Sequence, residues 1–128
     1  MRIVEIVPPR EFTVGSAEKS LRIRDCAHIE LDADEQVTFV TASGTAYDFC
    51  RKDWGYYATP SLNSRLGRFG LRAALVRGSD GKAYVMAVES SRQPEFDDYL
   101  KSCGHCHVCW LDEEEVLSRI ETLFRGKS

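Results

Sequence analysis

Residues 103–110 read Cys-Gly-His-Cys-His-Val-Cys-Trp and place three thiols and two imidazoles in eight positions. Such groups ligate transition metals and serve as nucleophiles and bases. On a strand, alternation would send His105, His107 and Cys109 to one face and Cys106, Val108 and Trp110 to the other. A His-x-His pair with Cys109 can hold zinc if a further ligand comes from elsewhere in the chain. The second half of a closed zinc knuckle is missing, because Cys26, His28 and Cys50 stand alone. The plainer expectation sets exposed histidines opposite a buried Cys106, Val108 and Trp110. Thiol catalysis needs a base within reach of the sulfur, and strand neighbours of Cys106 point the other way. Cys109 and His107 would lie ~7 Å apart, beyond direct hydrogen bonding.

The four letters Cys103-Gly-His-Cys106 resemble the active-site tetrad of protein disulfide isomerases. That resemblance implies a redox dithiol, whose first cysteine must open a helix so that the dipole supports a thiolate. Cys103 instead closes a helical pattern, where the negative end of the dipole works against a thiolate. About 25 residues follow, and none of them is a proline that could face the dithiol. The likeness stops at four letters.

Residues 51–70 offer a different chemistry. Arg51, Trp54, Tyr56, Tyr57, Asn63, Arg65 and Arg68 fall in this stretch, with Lys52 and Phe69 among them. Five cations against Asp53 give residues 51–72 a net charge of +4, on a chain whose total is -3. Aromatic faces with Arg and Asn donors suit an anionic small molecule or a protein partner, and long ordered loops in small domains are often binding elements. The competing expectation makes Trp54 and the tyrosines a third strand packed in the core, followed by one helical turn around 60–66. Nucleic acid is disfavoured, because the sequence pI is about 5.6 and the cationic footprint is small. Phosphate-loop, dinucleotide and nucleophile-elbow motifs are all missing.

Short strands should position these groups. Ile3–Val7, Leu21–Ile23 and Ala27–Leu31 alternate or run apolar, with a loop expected over Pro8–Ala17. Residues 37–41 and 45–49 flank Ala42-Ser43-Gly44 as a hairpin. Residues 71–77 and 83–89 flank Gly78–Lys82 as a second, both strands reading as largely buried. Phe96, Tyr99, Leu100 and Cys103 then repeat at helical spacing behind Pro94, with Gly104 as the stop. Residues 105–111 read as a strand that returns through a parallel crossover. A final helix carries Val116, Leu117, Ile120, Leu123 and Phe124 on one stripe, with Asp112 and Glu115 placed as a capping box.

The expected architecture is α+β: a mainly antiparallel β-sheet built from hairpins, with two C-terminal helices in a strand-helix-strand-helix tail. At 128 residues, 43% of them hydrophobic, one domain spanning 1–128 is expected. No apolar run approaches the roughly 20 residues a membrane span needs. An early Glu5 argues against a secretory signal, and five cysteines, an odd number, suit free thiols in the cytoplasm. The leading expectation is a non-enzymatic module that binds an anionic small molecule or a protein partner through residues 51–70. The alternative is a metal-binding or thiol-dependent enzyme, with zinc as cofactor, built on residues 103–109.

Overall fold

A computed structural model describes residues 1–15 and 20–126. It is mostly antiparallel sheet with some helix, and it divides into two compact units. One unit comprises Met1–Val37 and Asp48–Thr59; the other comprises Thr38–Tyr47 and Pro60–Ser128. Among the described residues, no helix is long and apolar enough to cross a membrane.

The first unit is dominated by an antiparallel ribbon of β1 (Arg2–Gly15) and β2 (Ser20–Glu30). The expected loop at 8–17 is therefore strand as far as Gly15; residues 16 and 17 lie outside the described residues. Pro8 and Pro9 are tolerated because the register shifts between Glu5 and Arg10. Proline has no N–H for a ladder, and an irregular stretch asks for none. Arg2 closes one end of the ribbon through two hydrogen bonds to the Glu30 carboxylate, at 2.7 and 2.8 Å. β4 (Ala46–Lys52) pairs with β5 (Gly55–Ala58) around the two-residue turn Asp53-Trp54, and β3 (Gln36–Val40) lies on the other side of β4. β3 and β4 each contribute residues to both units.

The second unit is built on β6 (Leu71–Arg77), the centre of a sheet in the order β7-β6-β8. β7 is Ala83–Glu89 and β8 is Cys106–Trp110, both antiparallel to β6. Period-two alternation gives β6 two apolar faces. Ala74 and Val76 join Val88 and Leu100 in one cluster, flanked by Met86, Phe96 and Trp110. Leu71 and Ala73 join Leu66 in the other, flanked by Tyr47, Leu62 and Leu111. Burial on both faces explains the unbroken apolar run in β6. β7, expected to be equally buried, is an edge strand and mostly exposed. β7 and β8 run in the same direction, as a crossover demands, but β6 lies between them.

α1 (Arg65–Arg68) is a short helix beyond the two expected, and it inserts the fully buried Leu66. α2 (Gln93–Cys103) follows Pro94 in its first turn and ends on Gly104, whose φ of +68° is left-handed, as the sequence signals required. α3 (Glu114–Arg125) has the expected apolar stripe but buries none of it, and Leu123 and Phe124 are 75% and 78% exposed.

Asp112 does not cap α3; the N-cap position is Glu113. Its carboxylate turns back to the sheet, accepting from Ala73 N–H at 2.9 Å and from Arg72 at 3.0 and 3.4 Å. The Arg72 guanidinium lies 3.9 Å above the Trp110 ring. A backbone donor and a fork-shaped cation together outcompete the free amides of a solvent-exposed helix start.

Urea denaturation should separate three substitutions. Leu66→Ala should lower the unfolding free energy by about 2–5 kcal/mol, whereas Leu123→Ser should change it by less than about 0.5 kcal/mol. Asp112→Ala should cost about 1–3 kcal/mol, because it orphans the Ala73 amide and leaves Arg72 without its carboxylate.

Candidate functional site

Residues 51–70 are divided between the two units. Arg51, Trp54, Tyr56 and Tyr57 belong to the first unit, and Asn63, Arg65 and Arg68 to the second. In the first, the tight turn after Lys52 puts Trp54 at the hairpin tip, with Gly55 supplying the φ of +146° that closes it. Trp54 stacks on Tyr57 with ring centroids 6.1 Å apart. Arg51 lies 6.0 Å from the Tyr56 ring centroid and donates to Leu31 O at 3.3 Å. Lys52 bonds to Asp34, and that hydrogen bond, followed by the Asp34 charge, raises the amine above its ordinary pKa. Trp54 is 69% exposed and Tyr56 is 65% exposed. The expected third strand therefore exists as β5, but these aromatics are not in a core.

In the second unit the polar side chains have local partners. Asn63 Nδ2 donates to Glu114 at 2.8 Å. Arg65 stacks at 5.2 Å from the Phe69 ring centroid, and Arg68 donates to Ser64 Oγ at 2.9 Å.

A bulge reorganises the thiol and imidazole stretch. Leu75 faces Cys109 and Val76 faces His107, so Val108 is an extra residue in β8. Beyond it the alternation reverses. His107 joins Trp110 on the face of Val76 and Ala74, its ring 4.4 Å from Trp110 and 5.9 Å from Phe96, while Cys109 goes to the opposite face. The His107–Cys109 face expected for zinc is thus lost. So is the plainer expectation, since His105 and His107 are half-buried whereas Cys106 and Val108 are exposed. His105 precedes the strand and stacks on Tyr84 at 6.0 Å, with Nδ1 buried and unpartnered among the described residues. No three His, Cys, Asp or Glu side chains among the described residues come together as a metal site. His105, His107 and Cys109 do not form a ligand set.

The sequence reading missed a polar centre on Glu89, at the end of β7. Thr41, Ser43 and Thr45, around the β3–β4 turn, all donate to Glu89 Oε1; Thr41 does so at 2.5 Å and Thr45 at 2.7 Å. Oε2 receives no donor among the described residues. The three hydroxyls, with a smaller contribution from the charge of Arg92, hold the carboxyl pKa down at about 2. The Thr-Ala-Ser-Gly-Thr alternation was visible, but its partner lies 44–48 residues away. Glu89 and Arg92 stand at the polar end of a cavity of about 480 Å³, walled by Phe39, Tyr47, Leu71, Met86, Val88 and Phe96. Burial raises the Tyr47 pKa, so its phenol stays neutral.

Compared with family models, curated proteins and solved structures, the chain matches none of them.

The Glu89 centre has a pH signature. A carboxyl with a depressed folded-state pKa stabilises the fold above its unfolded value of about 4.5 and loses that contribution as pH falls toward about 2. The melting temperature of the wild type relative to Glu89→Gln should therefore hold a plateau above about pH 5.5 and fall steadily as pH drops from about 4.5 toward 2. A difference that stays constant with pH contradicts the assignment.

Proposed function

We propose that this chain is a non-enzymatic binding module whose recognition element is the β4–β5 hairpin and whose ligand is a protein partner. The observation that carries this reading is the exposure of Trp54 and Tyr56 at the tip of a hairpin fixed by backbone pairing. Large aromatics presented on a rigid element bury much area at little entropic cost, and Trp, Tyr and Arg dominate the binding energy of interfaces.

The local electrostatics favour a protein over the anionic small molecule expected from the charge count. Lys52 is ion-paired with Asp34 and Arg51 is tethered to Leu31 O, whereas Trp54 and Tyr56 are largely exposed, so the hairpin offers a partner chiefly aromatic area. Small anions also prefer concave sites, and a projecting hairpin tip suits an extended surface better. The five unpaired thiols support a reducing compartment such as the cytoplasm.

Site-specific photocrosslinking tests the reading. A photoreactive phenylalanine analogue at position 56 of the full chain, expressed in its native cells, should capture one discrete protein, and the same analogue at Ser79 should not. The captured protein, purified, should bind wild-type chain in calorimetry and lose about tenfold or more in affinity to Trp54→Ala/Tyr57→Ala. Unchanged affinity of that double variant overturns the hairpin as the recognition element.

A further inference from the structure

Three features of the Glu89 cavity point to a ligand independent of the hairpin. Its walls are apolar and include the rings of Phe39, Tyr47 and Phe96. Its polar end carries a carboxylate fixed by three hydroxyls on one oxygen, so the second oxygen remains available in a defined place. Its volume, about 480 Å³, lies within the range of small-molecule sites. All the lining residues belong to the second unit.

We propose that this cavity binds an apolar primary amine, its ammonium group on Glu89 Oε2 and its hydrocarbon or aromatic body against Phe39, Tyr47, Met86 and Phe96. An ammonium is complementary both to a carboxylate oxygen and to aromatic ring faces. Because Oε1 is already immobilised by the Thr41, Ser43 and Thr45 hydroxyls, the ligand does not bear the cost of ordering the acid. Among the described residues, Arg92 is the one cation that lines this end. Its guanidinium lies 3.6 Å from Glu95, which partly offsets its repulsion of an incoming ammonium. Glu89, Arg92 and Glu95 together leave one net negative charge, to which an amine adds the missing positive one.

Calorimetric titration of the full chain at neutral pH with 2-phenylethylamine, 2-phenylethanol and 3-phenylpropionate decides the matter, since the three share a body and differ in the head. The amine should bind at least about tenfold more tightly than the alcohol or the acid. Glu89→Gln should lose about tenfold in amine affinity, and Arg92→Ala should bind the amine as well as or better than the wild type. Ala46→Phe, which fills the cavity from its wall and leaves Glu89 in place, should also abolish binding; if that variant does not fold, the ligand series on the wild type and Glu89→Gln stand on their own. Equal affinity for alcohol and amine, retention of wild-type affinity by Glu89→Gln, or no heat of binding up to about 10 mM amine each overturns the proposal. Preference for the acid, lost in Arg92→Ala, overturns it in favour of an anion site.

Discussion

The second unit depends on β6 having no solvent side. A strand buried on both faces must have its two apolar sets covered from opposite directions, and its flanking strands must satisfy both of its edges. Ala73 and Ala74, adjacent and both buried, belong to different clusters. Their small side chains let covering elements approach closely. α2 brings Leu100 and Phe96 to one face; α1 brings Leu66 to the other, where Tyr47 also packs. Two carboxylates at the margins of that centre, Asp112 and Glu89, find donors inside the protein.

Asp112 and Glu89 solve the same problem with different donors. Asp112 sits just beyond the end of β8 and takes a backbone amide and a guanidinium from β6, so it locks an edge strand to the centre. Glu89 closes β7 and takes three neutral hydroxyls from the 41–45 turn. Both Asp112 oxygens are engaged, and the acid is 15% exposed beside its arginine. Glu89 has one oxygen saturated and one without a donor among the described residues. A fully paired acid is an architectural element, whereas a half-paired ionised acid at the end of an apolar cavity retains capacity for a ligand.

The sequence conveyed the elements better than their environments. The amphipathic repeat of α2, its proline start and Gly104 stop, the 37–49 hairpin and the β6–β7 hairpin were all legible, because each is encoded by residues close to one another. What was not legible required long-range information. Asp112 has the letters of a capping residue, but Ala73 and Arg72, 39 and 40 positions upstream, win it. The alternation in 105–110 predicted one face for His107 and Cys109, and a single bulge at Val108 reversed it. Nothing local announces a bulge in a strand that lacks glycine. The apolar stripe on α3 is present as the sequence predicts, yet its exposure shows that amphipathicity encodes a capacity for burial and not the burial itself.

The basic aromatic stretch shows how charge counting fails. Seven residues that look like one site in the sequence are divided between two units, and each of their cations has an intramolecular role. A net charge of +4 on residues 51–72 is therefore shared between two units and is not the property of one site. Carboxylates offset two of the charges, Asp34 that of Lys52 and Asp112 with Glu113 that of Arg72, while Arg51 and Arg68 stay charged on neutral acceptors and Arg65 stacks on Phe69. The hairpin exposes the aromatic area of Trp54 and Tyr56, and the cavity sets the Glu89 carboxylate against aromatic walls. Both draw on β4, whose start lines the cavity with Ala46 and Tyr47 and whose end pairs with β5.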